Sequence, residues 1–155
     1  MSEHRSSIDV RVPVRTVYDQ WTQFETFPQF MEGVETVQQV TDTRLHWVAK
    51  IGGMRREWDA EITEQRPDQR VAWKSVSGAR NAGVVTFHRI DEGSTRVQLD
   101  MDIDPDGMVE NAGDKLGFIE RRLEGDLKRF KDYIENRGIA TGAWRGEVPR
   151  TDERN

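Results

Sequence analysis

The sequence predicts an α+β domain in which a curved, seven-stranded antiparallel sheet wraps around one long C-terminal helix, with two short helices after the first strand. Three observations predict it. From Val34 to Asp104 apolar and polar residues alternate, and turn-forming breaks at Asp42-Thr43, Gly52-Gly53, Pro67-Asp68, Gly78-Ala79 and Asp91-Glu92-Gly93 cut the stretch into six pieces. After Asp104-Pro105-Asp106-Gly107 the period changes to steps of three and four, at Val109, Ala112, Leu116, Ile119, Leu123, Leu127, Phe130 and Ile134. Ahead of Val34, a short alternation gives way to helical spacing.

In chain order, Ile8, Val10 and Val12 alternate with Ser7, Asp9 and Arg11, as a half-buried strand does, until Pro13 stops the run. Proline suits the first turn of a helix, and Val14, Val17, Tyr18 and Trp21 follow at helical spacing. A second short helix is expected over residues 25–31, ending near Gly33. The six strands are expected at residues 34–41, 44–51, 54–65, 70–77, 82–90 and 95–103, joined by turns short enough for an antiparallel meander. The terminal helix spans about 29 residues. Gly113, Gly117 and Gly125 interrupt it, either to admit close packing against the sheet or to leave room for a ligand beneath. Residues 1–137 form the expected domain and 138–155 a C-terminal tail, either disordered or attached through Trp144 to the domain surface or to a partner.

Composition excludes several classes of function. A chain of 155 residues is one domain's worth. With 23 Lys plus Arg against 28 Asp plus Glu, its formal charge of −5 offers no concentrated basic face for nucleic acid. The absence of cysteine excludes disulfides, thiolate zinc sites and cysteine nucleophiles. A mean hydropathy of −0.80 goes with the lack of any apolar run of about 18 residues, so no stable membrane insertion is expected. Met1-Ser2-Glu3-His4-Arg5 has no secretory character, and a cytoplasmic location is expected.

The motifs carry a resemblance. Val17-Tyr18-Asp19-Gln20-Trp21 leads into Phe27-Pro28-Gln29-Phe30-Met31-Glu32-Gly33-Val34, followed by Arg70-Val71-Ala72-Trp73-Lys74-Ser75-Val76-Ser77-Gly78, Gly83-Val84-Val85-Thr86-Phe87 and Ser94-Thr95-Arg96-Val97. The last of them is Gly125-Asp126-Leu127-Lys128-Arg129-Phe130-Lys131-Asp132-Tyr133-Ile134-Glu135. Over residues 8–137 the chain resembles the START-like SRPBCC superfamily, and within it the bacterial polyketide cyclase/dehydrase group, which is similar to the coenzyme Q-binding proteins. The resemblance implies the helix-grip fold and a cavity between sheet and helix. It also implies either a carrier of a polyketide, isoprenoid or lipid-like molecule or an aromatase/cyclase or dehydratase.

Strand parity identifies the residues that face such a cavity. Leu45, Trp47, Ala49 and Ile51 share one face, as do Met54, Arg56, Trp58, Ala60 and Ile62, then Val71, Trp73 and Ser75, then Val85 and Phe87, then Val97, Leu99, Met101 and Ile103. One helix is too narrow to cover them all, so the remainder either pack as core or line a pocket. The expected ligand-binding set is Trp47, Trp58, Trp73, Ser75, Phe87, Leu99 and Met101 from the sheet with Leu116, Ile119 and Leu123 from the helix. Arg56 on an apolar face either snorkels to water at the sheet edge or points inward, where it could hold an enolate or carboxylate. With Tyr18 it forms the candidate catalytic pair of a cyclase reading.

Other chemistries find no support in the spacing. His4, His46 and His88 lack metal-site spacing, no Gly-x-Ser-x-Gly elbow occurs, and the glycine turns are too sparse to cradle phosphate. No metal or cofactor is expected. His46 and His88 fall on the outer face of the sheet, and the terminal helix carries a solvated run of opposite charges. The expected partner is a small hydrophobic molecule, and oligomeric state is left open. A further alternative is an interaction module with a filled core that recruits a partner through Trp144.

Overall fold

The computed structural model describes residues 2–51, 53–103 and 115–150, excepting the side chains of residues 2, 115, 116 and 118. Strand β1 (Ser2–Val10) is followed by helix α1 (Val14–Trp21) and a 3-10 turn (Phe24–Gln29). The meander follows as β2 (Val34–Gln39), β3 (Arg44–Ile51), β4 (Met54–Arg66), β5 (Arg70–Gly78), β6 (Asn81–Asp91) and β7 (Ser94–Ile103), and helix α2 (Lys115–Arg137) comes after it. All strand pairs are antiparallel, in the order β1-β7-β6-β5-β4-β3-β2. The first strand therefore closes one edge of the curled sheet, and α1 with the 3-10 turn carries the chain across to the other edge. The expected helix segment at Val109, Ala112 and Gly113 lies outside the described residues.

The second short helix differs from its expectation, being 3-10 over Phe24–Gln29. Three residues per turn align side chains at every third position, and Trp21, Phe24, Phe27 and Phe30 stand at that interval. Their rings meet edge-on or tilted, with Trp21–Phe27, Phe24–Phe27 and Phe27–Phe30 centroids 5.3, 5.5 and 5.6 Å apart. This aromatic ladder buries one face of the connection against Phe130 of α2, whose ring lies 5.1 Å from both Trp21 and Phe30.

Helix α2 crosses the concave face of the sheet. Ile119, Leu123, Leu127, Phe130 and Ile134 are buried there, as their spacing in steps of three and four requires. Arg129 fastens the helix to the connection, donating from Nε to the Phe30 carbonyl at 2.9 Å and from Nη2 to Asp126 at 2.5 Å. A Cβ at Gly125 would come within 3.1 Å of that guanidinium, so this glycine leaves room for the Arg129 side chain one turn on.

The tail is docked rather than disordered along residues 138–150. Thr141 N–H donates to Gln20 Oε1 (2.8 Å), and the Trp144 N–H donates to Thr22 Oγ1 (3.3 Å). Val148 and Gln65 exchange backbone hydrogen bonds of 2.8 Å. Trp144 packs against the protein's own core. Arg145 pairs with Asp19 at 2.5 Å and Asp68 at 2.8 Å, with its guanidinium 5.5 Å from the Tyr18 ring centroid.

Candidate functional site: an apolar cavity under the terminal helix

Between the concave sheet face and α2 lies a cavity of about 150 Å³. Strand β3 supplies Leu45, Trp47, Ala49 and Ile51, the whole inward face that parity assigns to it. Strands β2, β4, β5 and β7 add Val34, Trp58, Ile62, Val71, Trp73, Leu99, Met101 and Ile103, and the connection adds Trp21, Phe24, Phe27 and Met31. From the helix come Ile119, Leu123 and Leu127. Asn81, Arg122 and Asp126 are the polar members of the described wall.

Seven of the ten residues expected to bind ligand meet in this wall: Trp47, Trp58, Trp73, Leu99, Met101, Ile119 and Leu123. Trp47 and Trp58 oppose each other across β3 and β4, and their rings stack with centroids 5.6 Å apart and planes 11° from parallel. The side chain of Leu116 lies outside the described residues. Phe87 and Ser75 do not join the described wall. Phe87 is core, its ring 5.4 Å from Tyr18 and 6.2 Å from Trp21. The Ser75 Oγ accepts the Asn81 N–H at 3.0 Å, bracing the start of β6.

Tyr18 and Arg56 are likewise outside the described wall. Tyr18 is fully buried beneath Arg145, and burial pushes its hydroxyl up to about 12, so it stays protonated. Arg56 is half-buried on β4 opposite Ala49 of β3, whereas Met54 at the strand's start is exposed.

The charged groups in the wall come from α2. Burial pushes the Asp126 carboxyl above its ordinary range, opposed by the hydrogen bond from Arg129. The Glu32 N–H also donates to Asp126, at 3.1 Å. Arg122 lies against Gly33, which holds φ at 79°, and a Cβ there would strike both the Arg122 guanidinium and the Lys50 carbonyl. Glycine is required at 33 on both counts.

On the opposite face of the sheet, His46 Nδ1 meets Asp59 at 2.7 Å and its Nε2 meets Glu57 at 3.2 Å. These bonds, that to Asp59 first, raise the imidazole pKa above 6.5. No helix among the described residues is long and apolar enough to cross a membrane.

A family profile described as polyketide cyclase / dehydrase and lipid transport matches residues 10–132. The chain belongs to that family. It is 60% identical over 149 residues to an uncharacterized 17.2 kDa protein in the melC2-rnhH intergenic region of Streptomyces lincolnensis. That alignment covers 96% of this chain and 99% of the relative.

Solved structures establish the START-like helix-grip fold. The Zhui aromatase/cyclase of Streptomyces sp. R1128 superposes with a TM-score of 0.74 at 16% identity, covering 92% of this chain and 99% of that one. A START superfamily protein of Mycobacterium smegmatis gives 0.68 at 13% identity, covering 87% and 95%.

Proposed function

We propose that this member of the polyketide cyclase/dehydrase family binds a small hydrophobic molecule between its sheet and helix α2. The apolar, aromatic-walled cavity carries this reading. Its size sets the scale of the guest. A cavity of about 150 Å³ accepts a benzene-sized ring, whereas drug-sized ligands occupy pockets of roughly 300–1,000 Å³. Binding is favoured over cyclisation because a cyclase needs free proton-transfer groups beside its substrate, the candidate pair Tyr18 and Arg56 lies outside the described wall, and the carboxyl in that wall, Asp126, is held by Arg129 and the Glu32 N–H.

Toluene is the simplest probe. Four tryptophans, Trp21, Trp47, Trp58 and Trp73, line the cavity, so ring entry should change their emission. At a hundred times its dissociation constant, toluene should stabilise the fold by about 2.7 kcal/mol. If neither millimolar toluene nor millimolar acetophenone alters emission or melting temperature, the binding reading falls.

A further inference from the structure

Two hydrogen-bond donors in the cavity wall have no acceptor among the described residues. Nε of Arg122 and Nε1 of Trp47 are buried without a hydrogen-bond partner among the described residues, and both residues line the cavity. Guanidinium and indole N–H groups donate and cannot accept, so reorienting protons does not satisfy them. Asp126, the carboxylate of the described wall, faces the Arg122 charge, but its hydrogen bonds come from Glu32 N–H and Arg129 Nη2. Gly33 leaves the space the Arg122 guanidinium occupies. Buried polar groups are almost always paired, and an unpaired donor calls for an explanation.

We infer that Arg122 and Trp47 are specificity determinants that select a guest carrying an acceptor oxygen, a carbonyl or carboxylate, on an apolar body about one ring in size. This inference rests on the ligand-binding reading and sharpens its chemistry. Most of the wall provides apolar contact and discriminates little among guests of equal shape. The two donors discriminate strongly, because a site built to hydrogen-bond an oxygen rejects the analogue that lacks it.

Acetophenone and α-methylstyrene test the inference, being nearly the same shape with C=O in one where the other has C=CH2. Both are titrated by calorimetry into the full chain and into Arg122→Met and Trp47→Phe, whose folding is checked by circular dichroism. The preference for acetophenone should fall about tenfold in at least one variant while α-methylstyrene still binds. A preference unchanged in both variants overturns the inference and leaves hydrophobic binding intact. Failure of the wild type to bind either probe overturns both readings. The infrared C=O stretch of acetophenone bound to wild-type protein provides a readout that needs no variant. A shift below its frequency in hexane is expected, and a band at the hexane frequency overturns the inference.

Discussion

Ala49→Ile should raise the stability of the protein by about 1.5 kcal/mol, whereas burying three extra carbons at a filled site would lower it. Ala49 lines the cavity, which leaves space beside its methyl group. Isoleucine adds three carbons to alanine, each contributing about 0.8 kcal/mol when buried, against about 0.5–1 kcal/mol of lost rotamer freedom. Its β-branching also suits a strand. The net gain corresponds to a rise of about 3–6 °C in melting temperature for a chain of this size. Ala60, on the neighbouring strand, is the control, because it too is fully buried but is absent from the described wall. Ala60→Ile should cost about 1–3 kcal/mol through overpacking. Urea denaturation followed by far-UV circular dichroism measures both. Equal destabilisation by the two substitutions would refute the void beside Ala49. A stabilised Ala49→Ile protein should also lose toluene affinity.

Two further predictions concern parts of the molecule away from the cavity. Arg145→Ala removes the ion pairs with Asp19 and Asp68 and the stacking on Tyr18, leaving Asp19 only 9% exposed without its close partner; a loss of about 1–3 kcal/mol is expected in urea melts. A double-mutant cycle with Asp19→Asn should return a coupling energy, and strict additivity would show that the pair contributes nothing. His46 should titrate above 6.5 by NMR, and Asp59→Asn should move the midpoint down towards that value. Because the folded pKa is raised, the contribution of this pair is fully present below pH 6.5 and fades as pH rises through the folded value. At its partly exposed site the effect is small, and a midpoint insensitive to Asp59→Asn would dissociate the shift from that contact.

Strand parity made the sheet side of the cavity legible, because a period of two assigns faces without any knowledge of tertiary structure. It puts Leu45, Trp47, Ala49 and Ile51 on one face, and all four line the cavity. Parity says which face a side chain takes but not how far along a curved strand the cavity extends. Register shifts between Asp59 and Ala60 and between Ile62 and Glu64 alter which β5 residues stand beside β4. Ser75 and Phe87 share the inward parity of the wall yet serve the start of β6 and the Tyr18–Trp21 cluster.

The polar side of the cavity is hidden in the sequence for a different reason. Arg122 and Asp126 sit in a run of charges that resembles a solvated helix surface. Each nevertheless follows a buried residue by three, Ile119 and Leu123, and residues three apart share a helix face. That spacing was a signal in the sequence, but it could not be weighed without the geometry of the connection opposite. Gly33, held at positive φ by its turn, leaves the guanidinium a place against the protein, and Phe30 and Glu32 draw Arg129 and Asp126 in beside it. A long aliphatic stem can follow the apolar stripe while its head reaches either water or the cavity wall. The contacts across from α2 therefore decide whether this charged flank is surface or binding site, and a measured acceptor preference at Arg122 would establish the latter.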